Sequence, residues 1–342
     1  MHENKCKATI NITTLKRDYN SVRSKLKNPL NFPNITATTT SALIFVIISL
    51  VISSPSINIT AYGQQVQQPT DTSNNKVVIL TFGDTHKGQF TNAKPILDQY
   101  GFKASFFITC NYVDDKNGTQ HMSWNDLLSL QKDGQDIESK GMNPLSLANV
   151  SSKVLNFETA NSKQCLEDHG INSPNIFAPK YGNVWNNSTV IDTISKDYDF
   201  ADNGNAPLMF LHCDGYTKQS SQTDCRTYFE NGTLTFANRY SIREWSHNSL
   251  DKQFLHDDQA IFQKFVEEVN SGIAFNNKKG TLDAIPIIAY HGIDDSKNPG
   301  STDVSLFAAE MKYLHDNGFK LIPMSDLGYD ERTNGMFIKQ QQ

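Results

Sequence analysis

Val77-Val78-Ile79-Leu80-Thr81-Phe82 is an apolar run relieved only by Thr81, and it opens into Gly83-Asp84-Thr85. A short run of this kind, rich in β-branched residues and closed by Gly and Asp, reads as a buried strand that delivers polar residues to a loop. Phe102-Lys103-Ala104-Ser105-Phe106-Phe107-Ile108 reads as a second strand. Between the two, Ala93, Ile96, Leu97 and Tyr100 recur at helical spacing, and Gly101 is a stop signal. Strand, helix and strand in this order are the unit from which parallel sheets are built.

The unit repeats along the chain. Ser123 is placed to cap a helix carrying Trp124, Leu127, Leu128 and Leu130, Gly134 ends it, and Gln135 to Ser139 returns as a strand. Ile176-Phe177, a helix around Val190, Ile191 and Ile194, and Asp199-Phe200-Ala201 continue the alternation, which a polar stretch from Phe210 to Asn238 interrupts. Asp257 or Asp258 then starts a helix with Ile261, Phe262, Phe265, Val266 and Val269. Ile285 to Tyr290 is a buried strand, Val304 to Asp316 a helix, and Phe319 to Pro323 a last strand. Alternation on this scale predicts a parallel α/β architecture, most simply a barrel, with its chemistry on the loops after Phe82, Ser139, Phe177, Ala201 and Tyr290.

Those loops carry a resemblance. From Val77 to Asp326, five segments in order resemble the polysaccharide deacetylases, the NodB homology type of carbohydrate esterase. The resemblance implies an irregular (β/α)7 barrel and metal-dependent hydrolysis of N-acetyl groups on carbohydrate. It also exposes departures. In the family's Thr-Phe-Asp-Asp-Gly the first Asp is the general base and the second a metal ligand; here these positions are Gly83 and Asp84. Glycine has no side chain to accept a proton. The family's His-Ser/Thr-x-x-His corresponds to Lys140-Gly141-Met142-Asn143-Pro144, so Lys140 and Pro144 stand where two metal-binding histidines would be. An ammonium repels a cation and proline offers no ligand. Phe177-Ala178-Pro179-Lys180-Tyr181-Gly182 resembles Phe-Arg-Pro-Pro-Tyr-Gly, with Ala178 at the base-orienting Arg position and the pocket residue Tyr181 kept. Arg243-Glu244-Trp245 resembles a variant of the Asp-Trp motif and puts Trp245 at the substrate pocket, while His291 matches the family's general acid. No cofactor is therefore expected, where the family takes zinc or cobalt.

Two local readings follow. Lys140 is expected to pair with Asp84 in place of the metal, since a lone carboxylate in a pocket is costly. Alternatively, Asp84, His86, His291 and Asp294 or Asp295 assemble a different metal site. Tyr181, Trp185, Trp245 and Tyr290 are candidate stacking faces for sugar rings, or barrel core.

The rest of the chain bounds the setting. With 342 residues, 38% hydrophobic and 20% charged, and a net charge of -5, it has enough apolar material for a core and no basic field to hold nucleic acid. The segment 1–63 is basic before an apolar run from Ala42 to Ile52, about half of the ~20 residues a spanning helix needs. It reads as a cleaved signal, with Ala61-Tyr62-Gly63 at cleavage-like spacing, or as an uncleaved anchor. Residues 64–76 read as a linker, 77–330 as the domain and 331–342 as a tail. Asn-x-Ser/Thr triplets at Asn117, Asn149, Asn186, Asn187 and Asn231 fit an exported chain. In an oxidising compartment Cys213 and Cys225 are expected to close a disulfide across the polar loop, and Cys110 and Cys165 either to pair or to stay thiols. Three functions are open: a deacetylase acting on envelope carbohydrate with impaired or lost activity, a silent glycan binder, and a structural envelope component. Contact with a membrane would come only through the N-terminal segment.

Overall fold

The computed structural model describes residues 76–114, 120–180, 184, 187–205, 208–211, 239–247, 257–274, 284–296, 298, 300–332 and 335–339. All belong to one unit, Gln67–Gln342. The N-terminal segment 1–63, expected to direct export, the expected linker apart from Lys76, Tyr181, Trp185, Cys213 and Cys225 lie outside the described residues.

Seven strands pair in parallel and close on themselves. They are β1 (Val77–Phe82), β2 (Ser105–Ile108), β3 (Asp136–Ser139), β4 (Ile176–Phe177), β5 (Phe200–Asn205), β7 (Ile242–Ser246) and β8 (Ala284–Tyr290), with β8 returning to β1. The expected irregular (β/α)7 barrel is the observed fold. Two short strands extend it, β6 (Leu208–Phe210) antiparallel to the start of β8 and β11 (Lys320–Leu321) beside the first residues of β1, while β9 (Gly292–Ile293) pairs with β10 (Ser301–Thr302) in a sheet of their own.

Strand alternation sorts the core into two layers. Ile79, Phe107, Ile176, Phe200, Ile242 and Ile287 form the cluster inside the barrel. Val78, Leu80, Phe82, Phe106, Ile108 and Tyr290 turn outward, where they meet Leu97 of α1 (Lys94–Tyr100), Leu127 of α2 (Trp124–Lys132), and Phe307 and Met311 of α6 (Val304–Asp316). The remaining helices are α3 (Ser152–Asp168), α4 (Ser188–Ile194) and α5 (Asp258–Asn270). Helix starts follow the sequence: Ser123 and Asp126 form a capping box on α2, and Asp257 accepts from the Ala260 N–H at the start of α5. Gly101 and Gly134 take the left-handed turn that each stop requires, at φ 67° and 77°.

Two segments depart from expectation. Helix α3 has an inward face of Leu155, Glu158, Thr159, Ser162 and Leu166, too polar to announce itself by hydrophobic period. Within the expected tail, Gly335–Ile338 forms β13, an antiparallel partner of β12 (Leu327–Asp330), with Met336 buried and its N–H bonded to the Leu211 carbonyl. The domain therefore runs past residue 330.

Cys110 and Cys165 are joined, their Cα atoms 6.6 Å apart, which ties the loop after β2 to α3. Among the described residues no helix is long and apolar enough to cross a membrane.

Candidate active site

Three neighbouring strands deliver the central residues. Ser246 lies opposite Ala289 in the β7–β8 register, and Phe82 opposite Tyr290 in the β1–β8 register. The last residue of β7, the residue after β8 and the loop after β1 thus reach one end of the barrel at one level. That end is the C-terminal one, where barrel sites are built.

The loop after β1 is held in a demanding conformation. Asp84 and Thr85 have φ of 68° and 59°, the left-handed region that costs a non-glycine residue about 1 kcal/mol or more. Dense hydrogen bonding fixes it. The Gly83 N–H donates to the Tyr290 carbonyl, the Thr109 N–H to Thr85 Oγ1 and the Met122 N–H to the Thr85 carbonyl, each at 2.9 Å. The buried Gln89 amide donates to the carbonyls of both Gly83 and His291, tying the β1 loop to the β8 loop.

Asp84 is thereby aimed into the site with both oxygens engaged. Oδ1 accepts from Lys180 Nζ at 2.7 Å, and Oδ2 faces His291 Nδ1 at 3.0 Å. Burial alone would raise this carboxyl. The His291 hydrogen bond, with the charges of Lys140, His291 and Lys180, outweighs it and holds Asp84 well below the usual carboxylate range. The expected Lys140–Asp84 pair is corrected here: Lys180 makes the contact and Lys140 acts through space. Lys140 instead overhangs Gly83, its Nζ 3.4 Å from the point a Cβ there would occupy, with His291 Nδ1 also 3.4 Å from that point.

Below them lies a carboxyl pair. Burial drives the Asp202 carboxyl far upward, and the charge and hydrogen bond of Glu244 add to this against the opposing charge of Lys140. The pair therefore shares a proton, and Thr81 Oγ1 donates to Glu244 Oε2 at 2.9 Å.

Other expected residues fall elsewhere. Ala178 is buried in the barrel interior, and Pro144 is exposed on a loop anchored by two hydrogen bonds from Asn143 to Glu158. Trp245, expected at the substrate pocket, is only 8% exposed and packs in the outer core edge-on to His247. Tyr290 is fully buried and donates to Glu310 Oε2, so neither ring offers a face to a sugar. Alternation places both on the outward face of their strands. His86 stacks toward His121, which stacks on Tyr112, and burial lowers the His86 pKa.

The relocated metal site is not assembled. Asp294 accepts from Ser296 and Ser301, and Asp295 from the Val304 N–H at the start of α6. Among the described residues no group of three His, Cys, Asp or Glu side chains could hold a metal ion. A site of the family's design does not fit either: the one retained ligand has both oxygens taken, and Lys140 and Pro144 supply no donor set for zinc or cobalt.

A closed parallel barrel with its polar residues gathered at the strands' C-terminal ends defines the class, an α/β barrel with a polar site at its C-terminal end. The family follows: residues 70–201 match the polysaccharide deacetylase model, and the chain carries a domain of that family. A Bacillus subtilis (strain 168) protein, YxkH, assigned provisionally to the polysaccharide deacetylases, is 27% identical over 93 residues, covering 27% of this chain and 32% of that protein. The match thus spans about a third of that relative's length. Among solved structures, a family 4 carbohydrate esterase from Streptomyces lividans in complex with acetate is 14% identical, with a TM-score of 0.46, over 78% of this chain and 99% of that one. A family 4 pseudoenzyme from Bacillus anthracis is 12% identical, with the same TM-score of 0.46, over 74% of this chain and 65% of that one. At such scores these likenesses decide nothing about the site.

Sequence reasoning passed over Lys180, Gln89, Asp202 and Ser246. Lys180 alone had a signal, since it replaces the second proline of the family motif beside the retained Tyr181.

Proposed function

We propose that this is an exported protein directed at acetylated carbohydrate of the cell envelope, and that it has given up the metal-dependent N-deacetylation of its family. The observation that carries the reading is the closure of Asp84 between Lys180 and His291 on a polysaccharide deacetylase domain. A metal would have to displace an ammonium already paired to its ligand. The basic segment before the apolar run at 42–52 supports export, and the net charge of -5 argues against nucleic acid as partner. Glycan recognition without the family's chemistry remains a useful role for such a barrel.

The test is acetate release from N-acetylglucosamine oligomers and peptidoglycan, with and without added zinc, alongside retention of the protein on the same glycans. Retention without zinc-dependent acetate release is expected. Zinc-stimulated release at a rate typical of hydrolases, about 1 per second or more, would overturn the reading.

A further inference from the structure

We propose that the barrel mouth holds a metal-independent acyl-transfer site in which Ser246 is the nucleophile, His291 its base and Asp84 the carboxylate that orients the base. Asp84 Oδ2 lies 3.0 Å from His291 Nδ1, and His291 Nε2 lies 3.4 Å from Ser246 Oγ. Nucleophile, imidazole and carboxylate in line, with the two ring nitrogens facing opposite partners, are the geometric mark of an activated serine, and the serine–imidazole distance is commonly loose without substrate.

The tautomer follows from the partners. Asp84, whose other oxygen already accepts from the Lys180 ammonium, accepts from Nδ1–H, which leaves the Nε2 lone pair toward the hydroxyl. The neighbouring imidazole does not compete: His247 is buried with Nε2 on Glu310 and Nδ1 on Thr302. Lys180 on the other oxygen of Asp84 and Gln89 on the His291 carbonyl fix the orienting groups. Gly83 leaves room above the imidazole, and Lys140 Nζ, 3.4 Å from the point a Cβ there would take, is the charge offered to a developing oxyanion.

The reaction is an ester hydrolysis in two halves. Ser246 Oγ attacks the acetyl carbonyl while its proton passes to His291 Nε2. The C–O bond to the sugar oxygen breaks, and that oxygen takes the proton back as the alcohol leaves. A water then adds to the acetyl-serine, giving a proton to Nε2. The bond to Ser246 Oγ breaks, the proton on Nε2 returns to that oxygen, and acetic acid departs to ionise to acetate in bulk water. Nothing is oxidised or reduced. The acetylated-carbohydrate class of the substrate rests on the function proposed above; the serine chemistry does not.

The full chain is treated with a fluorophosphonate probe, and in parallel its hydrolysis of 4-nitrophenyl acetate is followed in EDTA. A covalent adduct mapped to Ser246 and EDTA-resistant turnover are expected. Ser246→Ala should abolish both, and His291→Asn should lower turnover by about 10² to 10⁴. Circular dichroism confirms that each variant is folded. Absence of the adduct in the folded protein, or turnover unchanged in Ser246→Ala, overturns the proposal. Glycan retention with no adduct sinks the serine site alone, whereas an adduct with no glycan retention supports the serine site and sinks the carbohydrate reading.

Discussion

Lys180 turns a degenerate ligand set into a stable one. Its Nζ meets Asp84 with side-chain exposures of 19% and 10%, so the pair is largely withdrawn from water. Removing one partner of such a pair leaves a charge uncompensated. Lys180→Met should destabilise the protein by about 2 to 3 kcal/mol, somewhat below the full cost for a completely buried pair. Lys140→Met should cost less, because Lys180 makes the hydrogen-bonded contact with Asp84 while Lys140 contributes charge alone, even though that charge acts on Asp84 more strongly than the charge of Lys180. Urea unfolding of the two variants ranks them, and a larger loss for Lys140→Met would contradict the assigned contact. At the same scale Gly83 was legible as the loss of a base. That Lys140 and His291 lie against its missing side chain was not, because the three residues meet only across loops from β1, β3 and β8.

At the scale of elements, the strands were readable wherever a short apolar run was bounded by turn residues, as in β1, β2 and β8. Helix α3 was not, because Thr159, Ser162 and Glu158 on its inner face are satisfied by the Leu155 carbonyl, Ser139 and Asn143 rather than by apolar neighbours. Strand β7 shows only Ile242 and Trp245 as apolar positions, since Glu244 and Ser246 turn into the polar end of the barrel. The β12–β13 hairpin escaped because Gly335-Met336-Phe337-Ile338 follows a polar turn near the end of the chain. It buries Met336 and bonds to the Leu211 and Asp326 carbonyls. Ending the chain after Asp330 should therefore lower the thermal midpoint by several degrees, by the loss of a buried methionine worth about 2 kcal/mol or more. A truncated protein that melts with the full chain would return 331–342 to the status of a tail.

For the whole molecule, the buried charges predict how stability responds to pH. Asp84 has a folded pKa below the ordinary aspartate value of 3.8, so its contribution is present above that value and is lost as pH falls through the folded pKa. Asp202 is the opposite case, raised well above 3.8. Its contribution is complete below about pH 4 and declines as pH rises toward the folded value. Asp202→Asn keeps a donor to Glu244 at every pH, so the stability of the natural protein relative to this variant should fall as pH rises above about 4. Melting temperatures across that range check it, and parallel curves for the two proteins would remove the shared proton from the account. The sequence by itself determined the parallel barrel, the family segments on it and the absence of the family's base and two metal ligands, because periodicity, turn residues and short motifs are local properties of the chain. Only the tertiary structure decided which cation meets Asp84, that Trp245 and Tyr290 are core, and that Ser246 stands beside His291. Those facts depend on which strand ends become neighbours when the sheet closes and on which face each side chain then presents.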